Sequence, residues 1–107
     1  MKIYISIPIS NCDIERQRET ASKIAEVIKD MGHEPVNPFD TPQAPEHWNS
    51  DRKYAYYMGE DIKRLLLCDA VYVCNGWKHS RGCRAEVRLA RIYHLSVYDK
   101  FSSIPFR

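Results

Sequence analysis

Two acidic residues sit where a helical pattern calls for apolar ones. Asp61 lies three residues after Met58 and four before Leu65, within a stripe of Tyr54, Met58, Ile62 and Leu65. Spacings of three and four share one helix face, so Asp61 points inward with its neighbours. Glu86 repeats the arrangement, three after Cys83 and four before Ala90, on a stripe that continues through Val87 to Tyr93 or His94. An inward carboxylate costs several kcal/mol unless it finds partners. One account is structural: Asp61 bonded to backbone or to a tyrosine, and Glu86 an ordinary acid in a first helical turn, where the dipole favours its charged form. The other is chemical: a charged carboxylate on a cleft wall suits nucleophilic attack at a sugar carbon.

A second feature precedes Glu86. Residues 76–84 read Gly-Trp-Lys-His-Ser-Arg-Gly-Cys-Arg and form the densest cationic stretch of the chain. Free N–H groups at a helix start bind anions, and Gly82 would allow close backbone approach. With the Ser80 hydroxyl and Arg84, the stretch suits a phosphate. A solvated turn is the plainer alternative.

These groups need elements to position them. Residues 2–7 are β-branched and aromatic and predict a buried strand ending at Pro8. A turn over 8–12 leads to Asp13 as N-cap. Apolar residues at 21, 24, 25, 28 and 31 predict a helix over 14–31, stopped by Gly32. Residues 34–37 predict a short strand. Residues 38–50, with three prolines and Trp48, predict a long irregular loop of the lid or binding kind. A helix over 51–67, a strand over 69–74, a turn over 75–82, a helix over 83–94 and a strand over 95–98 follow. The tail 99–107 has no readable pattern. Strands alternating with helices imply a parallel α/β sheet with helices on both faces. Ligands in such sheets bind beyond the carboxyl ends of the strands.

Composition narrows the rest. The chain has 107 residues, enough for one domain over 1–107. A net charge of +2 is too small for a polymeric nucleic-acid binder. No apolar run approaches the roughly 18 residues of a membrane span. No signal peptide is read at the N-terminus, so a cytoplasmic protein is expected. The four cysteines, Cys12, Cys68, Cys74 and Cys83, form no CxxC pair, and no His pair has zinc-site spacing. Free thiols, no metal and no cofactor are expected.

The stretches YISIPIS (4–10), VNPFD (36–40), MGEDIKRLLLCDAVYVCNGW (58–77) and SRGCRAEVRLA (80–90) resemble the nucleoside 2-deoxyribosyltransferase superfamily. They are most similar to its short bacterial and phage branch, of DUF4406 type. The resemblance runs through nearly the whole chain in order. It implies a flavodoxin-like doubly wound sheet of four to five parallel strands and a homodimer or higher oligomer. It also implies cleavage or transfer of the N-glycosidic bond of a nucleoside or its 5′-monophosphate. By its motif, Glu86 is the nucleophile and Asp61 assists the base or the sugar. Ser80 and Gly82 correspond to a phosphate-binding pair. The loop from Ser6 to Asn11, including Ile7, Pro8 and Ser10, lines the sugar and base, and Asp69 is structural. Trp48 and Tyr57 could stack on the base or simply fill the core.

Two positions depart from the family. Ile7 replaces a glycine beside the ligand, and Arg88 replaces a glycine two residues after Glu86. They leave open a module of this fold that binds nucleotides without turning them over. A protein with no small-molecule site is the blandest alternative, and the inward acids count against it. A thiol enzyme is a further rival, from the C-x5-R spacing of Cys12 and Arg18. Its segment has no glycine and carries Asp13 and Glu15 where an anion would sit. No G-x-G-x-x-G follows the first strand, which argues against a dinucleotide fold.

Overall fold

The structure is a computed structural model and describes residues 1–106. Four strands, β1 (Lys2–Ser6), β2 (Glu34–Val36), β3 (Ala70–Val73) and β4 (Ser96–Tyr98), form one sheet in the order β2-β1-β3-β4. Every pairing is parallel. Three helices, α1 (Ile14–Asp30), α2 (Ser50–Leu66) and α3 (Arg81–Ile92), cross between them. This is the flavodoxin-like α/β fold that the sequence implies. The strand order reverses between β1 and β3, so the crevice of a doubly wound sheet falls at the ends of those two strands.

Alternation along the central strands divides the core. Ile3, Ile5, Ala70, Tyr72 and Cys74 face α1 and pack with Ala21, Ile28 and Met31. Tyr4, Val71 and Val73 face the other way and pack with Leu65 of α2 and with Val87 and Ala90 of α3. Both faces are therefore covered, as a parallel sheet requires. The same period of two puts Ser6 on the α2 and α3 side with Tyr4.

Helix ends follow local chemistry. Asp13 caps α1 by accepting from the N–H of Glu15 and Arg16, and Gly32 takes a positive φ just beyond its end. Asn49 caps α2. α3 begins two residues earlier than its pattern predicts, at Arg81. Ser80 is its cap, accepting from the Cys83 N–H at 3.2 Å. Gly82 was read as part of the turn, yet it lies in the first turn of the helix with no positive φ, because a serine cap outweighs one glycine. Glu86 consequently sits in the second turn, beyond the reach of the dipole effect expected for it.

The loop over 38–50 is less irregular than expected. It opens with a 3-10 turn over Pro38–Asp40, capped by Asn37. Tyr57 accepts from the Ala44 N–H and Tyr56 donates to the Pro42 carbonyl, which ties the loop to α2. The tail is placed by packing. Phe101 stacks on Tyr72 with 4.6 Å between ring centroids, Ile104 is buried, and a His33 ring nitrogen bonds the Pro105 carbonyl.

Ile5 is fully buried at the middle of the sheet, while Ile92 is 57% exposed. Ile5→Ala should lower the unfolding free energy in urea by about 2–5 kcal/mol. Ile92→Ala should change it by less than about 0.5 kcal/mol.

Candidate active site

The crevice at the β1–β3 switch point opens into a cavity of about 450 Å³. Its walls come from five places. Ile7, Ile9 and Ser10 follow β1, and Pro38, Phe39, Thr41 and Gln43 follow β2. Tyr54, Tyr57, Met58 and Asp61 project from α2, and Ser80 to Cys83 with Glu86 come from the start of α3. Ile14 and Arg18 of α1 complete the rim. The two inward acids, far apart in sequence, thus share one cavity with the amide end of α3.

Glu86 is the best-held group of the site. It is buried, and each carboxylate oxygen accepts one hydroxyl: Tyr4 Oη donates to Oε2 and Ser6 Oγ donates to Oε1, both at 2.7 Å. Burial pushes its pKa up to about 7. The two hydroxyl bonds pull against that rise, and the nearby Asp61 adds to it. The sequence reading expected a carboxylate held charged by the helix dipole. The structure shows the reverse balance, because Glu86 lies too deep and too far along α3. Asp61 is half-buried, and burial raises it to about 6 against the lowering pull of Arg64 and the Tyr4 hydroxyl. Tyr4 is itself raised, first by burial and then by the two acids. Tyr4, Asp61 and Glu86 therefore form one coupled set, with the two acids on the cavity wall and Tyr4 behind them.

Several predicted residues fall elsewhere. Ser6 does not line the cavity; it is buried beneath it and acts through Glu86. Pro8 is buried off the wall, and its carbonyl accepts from the Gln17 amide. Trp48 is also off the wall, packed edge-on against Tyr56 and covered by the Arg52 guanidinium at 3.8 Å from the ring. Arg84 and Arg88 are exposed and off the wall, since α3 turns both outward. Ile7, Ser10, Tyr57, Ser80 and Gly82 do line it. At Gly82 an added Cβ would meet Met58 Sδ at 3.6 Å, an ordinary contact; its small size leaves the helix start open to the cavity.

The cations on the wall are Arg81, which belongs to the cationic stretch that the sequence offers for a phosphate, and Arg18, which the residue types alone did not single out for this site. Arg81 lies over Tyr54 and Arg18 over Phe39, each 4.9 Å from the ring centroid. Tyr54 and Met58 were legible as an inward stripe. Phe39, Thr41 and Gln43 belong to the 38–50 segment that reads as a lid or binding loop; Arg18 was not legible for this site, because only the sheet order brings that loop beside α1. The C-x5-R pair separates: Arg18 lines this cavity while the exposed Cys12 lines another, on the α1 side. All four cysteines are free. Among the described residues no cluster of acidic, His and Cys side chains could hold a metal ion, and no helix is long and apolar enough to cross a membrane.

The family described as a domain of unknown function, DUF4406, matches residues 1–99. The chain belongs to this family. No curated protein sequence matches the DUF4406 chain significantly. Among solved structures it is similar to a 2-deoxyribosyltransferase from Bacillus psychrosaccharolyticus, with a TM-score of 0.69 and 20% identity. That match covers 91% of this chain and 69% of the other. It is also similar to a conserved protein from Enterococcus faecalis V583, with a TM-score of 0.63 and 18% identity over 90% of this chain and 60% of that one. The DUF4406 chain therefore has the fold of a nucleoside 2-deoxyribosyltransferase, on a shorter chain.

The raised Glu86 carries a stability signature. Its ordinary value of 4.5 rises to about 7 in the fold, so between those values the folded state holds a proton that the unfolded chain has lost. Stability then falls as pH rises through that window. At about 1.4 kcal/mol per pH unit, the loss is about 3 kcal/mol at most. Glu86→Gln should thus be the more stable protein at pH 8 in denaturant titrations. The difference should vanish near pH 4, where both states of the native chain are protonated.

Proposed function

We propose that this protein cleaves or transfers the N-glycosidic bond of a nucleoside 5′-monophosphate, or of a free nucleoside, through a carboxylate nucleophile. The observation that carries this is the buried Glu86, oriented by two hydroxyls at the floor of a cavity that Asp61 shares. The similarity in fold to a 2-deoxyribosyltransferase supports the same reading.

A Glu86 oxygen attacks C1′ of the sugar. The C1′–N bond breaks, its electron pair leaves with the base, and Asp61 gives its proton to the base. The product is a glycosyl ester on Glu86. Water, or a second base, then attacks C1′, Asp61 takes back a proton, and the carboxylate is released. Two displacements at one carbon retain configuration. Tyr4 and Ser6 keep the nucleophile in one orientation and accommodate its changing charge. Ser80, Arg81 and Gly82 at the start of α3 offer a hydroxyl, a guanidinium and helix amides to a 5′-phosphate. The mostly apolar remainder of the wall excludes water from the ester.

The acid pair dictates the pH response. Attack needs Glu86 ionised and departure needs Asp61 protonated, so the active form carries one proton on the pair. With values near 7 for Glu86 and 6 for Asp61, the one-proton form peaks between them; the larger share of it has the proton on Glu86, and the productive arrangement, with the proton on Asp61, is the smaller share. Chromatography of a deoxynucleotide panel after incubation should show free base. The rate should follow a bell in pH with both limbs inside about 5 to 8. Glu86→Gln should lose at least on the order of a thousandfold in turnover while remaining folded. Tight nucleotide binding by the native protein with no base released over long incubation would leave a binding module and reject the enzyme.

A further inference from the structure

The cavity crosses the carboxyl edge of the sheet from one side of β1 to the other. The start of α3, with Ser80 to Cys83, lies on the β3 side. The loop Pro38 to Gln43 lies on the β2 side, and β1 runs between them. A 5′-phosphate at α3 and C1′ over Glu86 leave the β2 side for the base. Arg18, Phe39, Thr41 and Gln43 meet there.

We propose that this end of the cavity reads an oxo group on the base, with Arg18 as the specificity-determining residue; the inference rests on the nucleotide reading above. A guanidinium carries five N–H donors and no acceptor, and it stays charged. It bonds a ring carbonyl well and meets an exocyclic amino group donor to donor. Arg18 is set over the Phe39 ring and is only loosely engaged otherwise. Among the described residues its one carboxylate contact is Glu15, at 3.8 Å on an exposed side chain. Such a pair is weak and yields to a better acceptor. Thr41 lies on the same wall, with its Oγ1 buried and without a hydrogen-bond partner among the described residues. The Arg18 contact also aids departure. As the C1′–N bond breaks, negative charge spreads onto the oxo oxygen and strengthens its bond to Arg18.

Two matched nucleotide pairs test this, each differing at one edge: deoxyinosine against deoxyadenosine monophosphate, and deoxyuridine against deoxycytidine monophosphate. Calorimetric titration of the Glu86→Gln protein measures binding without turnover. The oxo member of at least one pair should bind about tenfold tighter. Adding Arg18→Met should erase that ratio while changing the amino member's affinity less than about threefold. Deoxyribose 5-phosphate should bind both proteins alike. Ratios near one in both pairs, or a ratio that survives Arg18→Met, overturn the assignment. So does an equal loss on all four nucleotides and on deoxyribose 5-phosphate, which would make Arg18 a charge anchor. If neither the nucleotides nor the sugar phosphate binds, the nucleotide reading falls and takes this inference with it. If all bind without the ratio, only the inference falls.

Discussion

The site depends on two hydroxyls of one strand reaching the carboxylate of one helix. Tyr4 and Ser6 lie on the same face of β1 because side chains alternate along a strand. α3 packs on that face through Val87 and Ala90, which turns Glu86 down onto the two hydroxyls. A register slip of one residue in β1 would send both hydroxyls to the α1 face and leave the acid unpaired. The parallel pairing of β1 with both β2 and β3 prevents that slip.

The same arrangement sets a conflict that the chemistry can use. Burial makes a charged Glu86 expensive, while two short hydroxyl bonds make it tolerable. Neither effect wins outright, so the group sits near the middle of the physiological range. Asp61 sits close to it in value and close enough to be felt. A pair of acids with values this close shares one proton near neutral pH, and under the proposed reaction that proton separates a nucleophile from a proton donor.

The fold was largely legible in the sequence. The strand and helix order, the Asp13 cap and the Gly32 stop all follow from local patterns that tertiary packing did not oppose. The pattern places the start of α3 at Cys83, where its apolar stripe begins, while the Ser80 cap starts the helix two residues earlier through its bond to the Cys83 N–H. The tail could not be read because its order comes from contacts remote in sequence, Phe101 on Tyr72 and Pro105 on His33. Arg84 and Trp48 had suitable chemistry for a site but the wrong facing; helix phase turned the arginine outward, and Trp48 packed with Tyr56 and Arg52 beside the loop instead of over the cavity.

Periodicity alone determined that Asp61 and Glu86 face inward, since three-and-four spacing is a property of one helix and needs no partner. It also determined a parallel sheet, since strands joined through helices can hardly run otherwise. Which groups the acids meet was decided by the tertiary structure. Tyr4 and Ser6 are about eighty residues from Glu86, and Arg18 reaches Phe39 only because β2 lies at the sheet edge beside β1. The ionisation of the acids was decided there too: a pKa depends on depth and neighbours, and neither is written in the spacing of one helix.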